Sequence, residues 1–172
     1  MQAISILIKL IAVQLISFYS LSLNDTNGQA IPFSSFQGKK VLIVNTGINT
    51  ADSVQYGRLE QLYQKYKDSL VIIAVPSDDF GHAPVSNDSI RNFVYSRYNI
   101  HYILATKVSV KGTSISSLYN WLVNQSQNGS MSIGVKSDFY KYLINNYGLP
   151  VGIFSKSVDP MSNEVQDAIL GN

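Results

Sequence analysis

Apolar positions along this chain fall into two kinds of run. Val41-Leu42-Ile43-Val44 and Leu70-Val71-Ile72-Ile73-Ala74-Val75 are unbroken and rich in β-branched residues, as in strands covered on both faces. Between them Leu59, Leu62, Tyr63 and Tyr66 recur at helical spacing within residues 55–67. Strand, helix and strand in this order predict a right-handed crossover and a parallel pair. Upstream, residues 18–23 alternate like a half-buried strand. The turn residues Asn24-Asp25-Thr26-Asn27-Gly28 and extended Gln29-Ala30-Ile31 follow, which predicts an N-terminal hairpin. Downstream, Ser86 offers a cap to a helix carrying Ile90, Phe93, Val94 and Arg97. Lys107-Val108-Ser109-Val110 reads as a strand, and Leu118, Trp121 and Leu122 as one face of a helix. Residues 140–144 and 151–154, joined through Asn146-Tyr147-Gly148, predict an antiparallel hairpin. Asp159-Pro160 predicts the start of a last helix, with Asp as cap and Pro at the first position. A parallel pair joined to an antiparallel hairpin makes a mixed sheet flanked by helices, an α/β arrangement.

The first residues follow neither pattern. From Ala3 to Ile16 the chain is a nearly apolar run, with Lys9 and Gln14 as its main interruptions. The only basic side chain lies mid-run rather than at the start, and no small-residue cleavage site follows, which fits a signal peptide poorly. Lys9 is expensive at the centre of a bilayer. Gln2, Ser5 and Lys9 share one helical face opposite Ile4, Leu7, Ile11 and Leu15, which suits an interfacial helix. The expectation is a signal peptide, membrane anchor or packed helix over residues 1–17, ahead of one domain over 18–172. Membrane-associated or exported placement is favoured over cytoplasmic.

Composition removes several functions. The chain has 172 residues, with 45% hydrophobic and 14% charged, which is globular. Thirteen Lys and Arg against eleven Asp and Glu leave a net charge of +2. The basic residues are scattered, so no nucleic-acid partner is expected. Cysteine is absent, which excludes disulfides, thiolate metal sites and thiol catalysis. His82 and His101, the only imidazoles, form no metal motif. Trp121 is expected in the core. Sequons stand at Asn24, Asn87, Asn124 and Asn128 and matter only in a glycosylating compartment.

Several stretches resemble the glutathione peroxidase family. Gly38-Lys39-Lys40-Val41-Leu42-Ile43-Val44-Asn45 is similar to its first core strand. Gln55-Tyr56-Gly57-Arg58-Leu59-Glu60-Gln61-Leu62-Tyr63 is similar to its first helix. Pro76-Ser77-Asp78-Asp79-Phe80-Gly81 is similar to its active-site loop, and Phe139-Tyr140-Lys141-Tyr142-Leu143-Ile144 to a later strand. The resemblance implies a thioredoxin-like fold, a mixed sheet flanked by helices with an N-terminal β-hairpin, in a domain that reduces hydroperoxides with glutathione or thioredoxin in the response to oxidative stress. It implies a cysteine or selenocysteine at the start of the first helix, surrounded by Gln, Trp and Asn. At those four positions this chain has Thr50, Asp79, Ser137 and Asp138.

A hydroxyl cannot replace the sulfur. Sulfur takes the peroxide oxygen, becomes a sulfenic acid and is reduced again, whereas an alcohol oxygen has no comparable reversible two-electron oxidation. The expectation is a member inactive as a thiol peroxidase that acts by binding a protein partner or small ligand, with no catalytic residue retained and no cofactor, a divalent cation being the one alternative. The rival is an enzyme of altered chemistry. In it Asp79 and Asp138, carboxylates where the family has amides, hold a divalent cation, with Asp52, Asp78 and the hydroxyls nearby.

Overall fold

The computed structural model describes residues 15–48, 50–81 and 84–171. The expected signal peptide or anchor therefore lies largely outside the described residues. Among them, no helix is long and apolar enough to cross a membrane.

The two unbroken apolar runs form β3 (Lys40–Thr46) and β4 (Leu70–Pro76), which pair in parallel from Lys40 with Leu70 to Thr46 with Pro76. Helix α1 (Gln55–Tyr66) makes the crossover. Antiparallel β6 (Lys141–Ile144) and β7 (Pro150–Phe154) add to the other side of β3, and short β5 (Ile103–Leu104) adds to β4. The sheet order is β5-β4-β3-β6-β7. A separate hairpin pairs β1 (Ser22–Asn24) with β2 (Ala30–Pro32). The architecture is the mixed α/β sheet expected, with its N-terminal hairpin.

Alternation along the strands divides the core in two. Leu42, Val44, Ile72, Ala74 and Leu143 face α1, α2 (Asn87–Tyr98) and α5 (Asn163–Leu170), packing with Tyr56, Leu59, Val94 and Val165. Val41, Ile43, Ile73, Val75, Tyr142 and Ile144 face the other way, towards Phe18, Phe33, Leu118 and Trp121. Leu118 and Trp121 belong to α3 (Ser117–Leu122), Phe18 and Phe33 stand just before and just after the N-terminal hairpin, and α4 (Gln125–Asn128) follows α3. Burying the sheet on both faces explains why its central strands are apolar throughout.

Three expected elements differ. Residues 18–20 form a 3₁₀ turn in which the Ser17 side chain accepts from the Tyr19 amide, so β1 begins only at Ser22. Residues 107–110 are not a strand. The Val108 amide still donates to the Pro76 carbonyl at 3.0 Å, but proline has no N–H to return and the ladder ends there. The last helix starts at Asn163 with Ser162 as its cap, whereas Asp159 accepts from Met161 N at 2.6 Å and forms the turn before it. The aspartate is drawn out of the capping role by Arg58 Nε, 3.0 Å from its carboxylate.

Candidate functional site

The parallel strands β3 and β4 end side by side at Thr46 and Pro76, and the chain beyond each end builds the candidate site. After β3 the backbone runs through Gly47 to Thr50. The Thr50 side chain accepts from the Asp52 amide at 3.1 Å, and Ser53 Oγ donates to the Thr50 carbonyl at 2.8 Å. Thr50 thus caps the 3₁₀ turn Ala51–Val54 that leads into α1. A threonine here satisfies amides that would otherwise point out of the helix start.

Ser137 and Asp138 reach the same place from the loop before β6. Asn45 Nδ2 donates to the Ser137 carbonyl at 2.9 Å, and the Phe139 amide to the Asn45 carbonyl at 2.7 Å. These bonds pin the loop across the end of β3 and hold Phe139 at φ 57°. Asp138 is 6% exposed. A β-carbon at Gly47 would stand 2.9 Å from its Cγ, so the approach of carboxylate to backbone requires glycine. Thr50, Asp52, Phe80, Lys136, Ser137, Asp138 and Lys156 line one cavity of about 300 Å³. Three of the four expected positions therefore meet.

Asp79 does not join them. Its Oδ2 accepts from Val110 N at 2.6 Å, Ser109 Oγ at 2.9 Å and Lys111 N at 3.3 Å. Burial works to raise this carboxyl, but those hydrogen bonds outweigh it and hold the group below the ordinary carboxylate range. On either side, Asp78 pairs with Lys107 Nζ at 2.5 Å, and Lys111 Nζ lies 4.3 Å from the centre of the Phe80 ring. Asp78 and Asp79 border a separate cleft with Lys107, Val108 and Ser109. Residues 78–80 clamp the segment 107–111 that failed to become a strand.

Charge in the cavity is of both signs. Lys156 Nζ lies 3.3 Å from Asp52 Oδ2, and Lys136 stands beside Ser137 on the wall. Behind it, Lys141 is fully buried, and its Nζ donates to the carbonyls of Phe139 at 2.9 Å and Ser155 at 3.2 Å. Desolvation lowers its pKa to about 8, opposed by the charges of Asp159 and Asp52. Burial likewise pushes the Tyr56 phenol up, and the Asp138 charge adds to it. Sequence reasoning missed the three lysines. Lys136 was detectable from its place next to Ser137, but Lys156 arrives from beyond β7 with no local signal. No group of three or more metal-binding side chains occurs among the described residues. His101 Nδ1 pairs with Glu60 Oε1 at 2.8 Å, His82 lies outside the described residues, and Trp121 is in the core as expected.

Comparison with known proteins points to one family. The glutathione peroxidase family model matches residues 18–123. The glutathione peroxidase-like peroxiredoxin 2 of Saccharomyces cerevisiae is 34% identical over 157 residues, covering 89% of this chain and 97% of the relative. The glutathione peroxidase-like peroxiredoxin gpx1 of Schizosaccharomyces pombe is 32% identical, covering 88% of this chain and 98% of its own. Among solved structures, Trgpx in apo form superimposes with a TM-score of 0.72 at 27% identity, covering 92% of this chain and 95% of that one.

Proposed function

Because this chain belongs to the glutathione peroxidase family and yet contains no cysteine, we propose that it is a catalytically silent member that works by binding. The observation that carries this reading is the cavity at the head of α1. The nucleophile position holds Thr50, whose oxygen caps the helix start, while the cavity around it keeps carboxylates and ammonium groups together. Asp52 and Asp138 with Lys136 and Lys156 suit a small polar ligand or a peptide segment carrying both signs of charge.

The test is hydroperoxide consumption with glutathione and, separately, with thioredoxin. No turnover above a heat-inactivated sample is expected, and turnover would overturn the proposal. T50C serves as the control, because the helix N-terminus favours a thiolate there. It is expected to gain one oxygen on exposure to hydroperoxide, read by mass spectrometry as a sulfenic acid.

A second reading, altered chemistry with a divalent cation at Asp79 and Asp138, draws on the second carboxylate, Asp52, beside Asp138 in the cavity. To contribute, Asp79 would have to leave the three donors that now hold Oδ2. A cation bound to the native state raises stability by about 2.7 kcal/mol at a hundredfold excess over its Kd. The reading therefore requires the unfolding midpoint to rise with Mg²⁺ or Ca²⁺, and the rise to vanish in D138N.

A further inference from the structure

We infer that the face where residues 15 and 16 join the domain is a docking surface for a lipid bilayer. Exposed apolar side chains concentrate there. Tyr147 is 76% exposed, Leu15 56%, Val151 51%, Leu149 49% and Ile16 40%, five of the nine large apolar side chains exposed among the described residues. Leu15, Ile16, Tyr147 and Leu149 surround one depression of about 230 Å³ floored by Phe18 and Trp121. Leu149, immediately before β7, and Val151 within it are both exposed, while Pro150 between them is buried.

These side chains are held outward by a rigid support. Trp121 Nε1 donates to the Ile16 carbonyl at 2.7 Å, and the Ile16 amide donates to the Gln127 carbonyl at 2.9 Å. Asn128, 2% exposed, donates to the carbonyls of Trp121 and Met131 and accepts from the amides of Ser130 and Met131. In the β6–β7 turn, Asn145 Oδ1 accepts from the amides of Tyr147 and Leu149. Tyr19 OH donates to the Asn146 carbonyl at 2.9 Å, and its ring lies so close to Gly148 that a β-carbon there would stand 2.9 Å away. The turn that projects Tyr147 is thus braced from behind.

Charge supplies the independent observation. Three segments build this face, and residues 15–24, 112–135 and 142–155 contain no Asp, Glu, Lys, Arg or His. Ser130 Oγ donates to the Pro150 carbonyl and Tyr142 OH to the Ile133 carbonyl, which ties the second segment to the third. A bilayer interface accepts hydroxyls, amides and a tyrosine ring but penalises buried charge. The sequence leading into the face is of the same kind, since residues 1–14 hold one charged side chain, Lys9. A polypeptide partner could cover five exposed side chains, but a bilayer accommodates the face and the apolar run entering it together. With no basic cluster on the face, the surface it fits is a neutral, zwitterionic phospholipid. The inference is independent of any ligand for the Thr50 cavity.

The experiment is flotation of the full chain with phosphatidylcholine vesicles, alongside the double variant Y147E/L149E, with sedimentation of both proteins without lipid. The wild type is expected to float. The variant is expected to partition at least about tenfold less, with an unchanged far-UV spectrum and unfolding midpoint. Y147W, a mild change, is expected to gain fluorescence that brominated phosphatidylcholine quenches, above the signal of Trp121. Equal flotation of wild type and double variant, with no quenching, would overturn the inference and leave attachment to residues 1–14 alone. Failure of the wild type to float would also overturn it. A wild-type dimer dispersed by the double substitution would then assign the face to a second copy of the chain.

Discussion

The head of α1 and the face beside Trp121 treat polar chemistry in opposite ways. Around Thr50 the chain gathers two carboxylates and two ammonium groups within one cavity, backed by a buried lysine. Around Trp121 three segments converge without a single charge, and apolar side chains stay in solvent. A charged group can be absorbed by hydrogen bonds, as Asp79 is by residues 109–111. An exposed apolar group has no such outlet, so only a covering surface removes it from water. Asp79 is thereby part of a structural clamp on residues 109–111, while the apolar side chains of the uncharged face stay exposed.

The contrast breaks most severely at Trp121, which is 1% exposed and bonds to the Ile16 carbonyl. W121A is expected to cost about 3–5 kcal/mol in denaturant unfolding and to raise proteolysis near residue 16. A loss confined to a few tenths would mean that the uncharged face has no rigid support. On the other side, D79A removes an acceptor shared by three donors and is expected to cost about 2 kcal/mol. Because the Asp79 and Asp159 carboxyls lie below their ordinary values in the folded state, their contribution is complete above the unfolded carboxyl pKa. It is lost as pH falls through the folded values, below about pH 4. Acid titration of D79A should therefore show a shallower fall than the wild type.

Lys141 sharpens the comparison from within. Its pKa falls from 10.5 to about 8 on folding, so the unfolded chain binds the extra proton between those values. Stability attributable to Lys141 is therefore lowest below pH 8 and rises with pH across that window, by about 3 kcal/mol at most. The difference between wild type and K141M in unfolding free energy from pH 7 to 10 isolates this term, and a flat difference would contradict it. The smallest effect is expected for T50A. Loss of the cap to Asp52 N should cost about 1 kcal/mol, and an unchanged midpoint would mean that the Thr50 hydroxyl serves the cavity alone.

Much of the fold was legible because its signals are local. The aliphatic runs of β3 and β4, the period of α1 and the Ser86 cap of α2 each depend on residues within a few positions of one another. The errors fell where a distant partner decided. Residues 107–110 have strand chemistry, but their neighbour ends in proline. Asp159 has capping chemistry, but Arg58 from α1 engages it, and Ser162 caps instead.

The candidate site divides along the same line. Absence of cysteine, and with it the loss of thiol chemistry, was determined by sequence alone, since no arrangement in space supplies a missing atom. That Thr50 and Asp138 share a cavity while Asp79 is turned aside was decided only by tertiary structure. The four residues arrive on three separate loops, and which of them meet depends on how each loop satisfies its backbone bonds. The uncharged face follows the same rule. Its three segments can be read as uncharged one at a time, but they become a surface only when Trp121, Asn128 and Tyr19 bind them side by side.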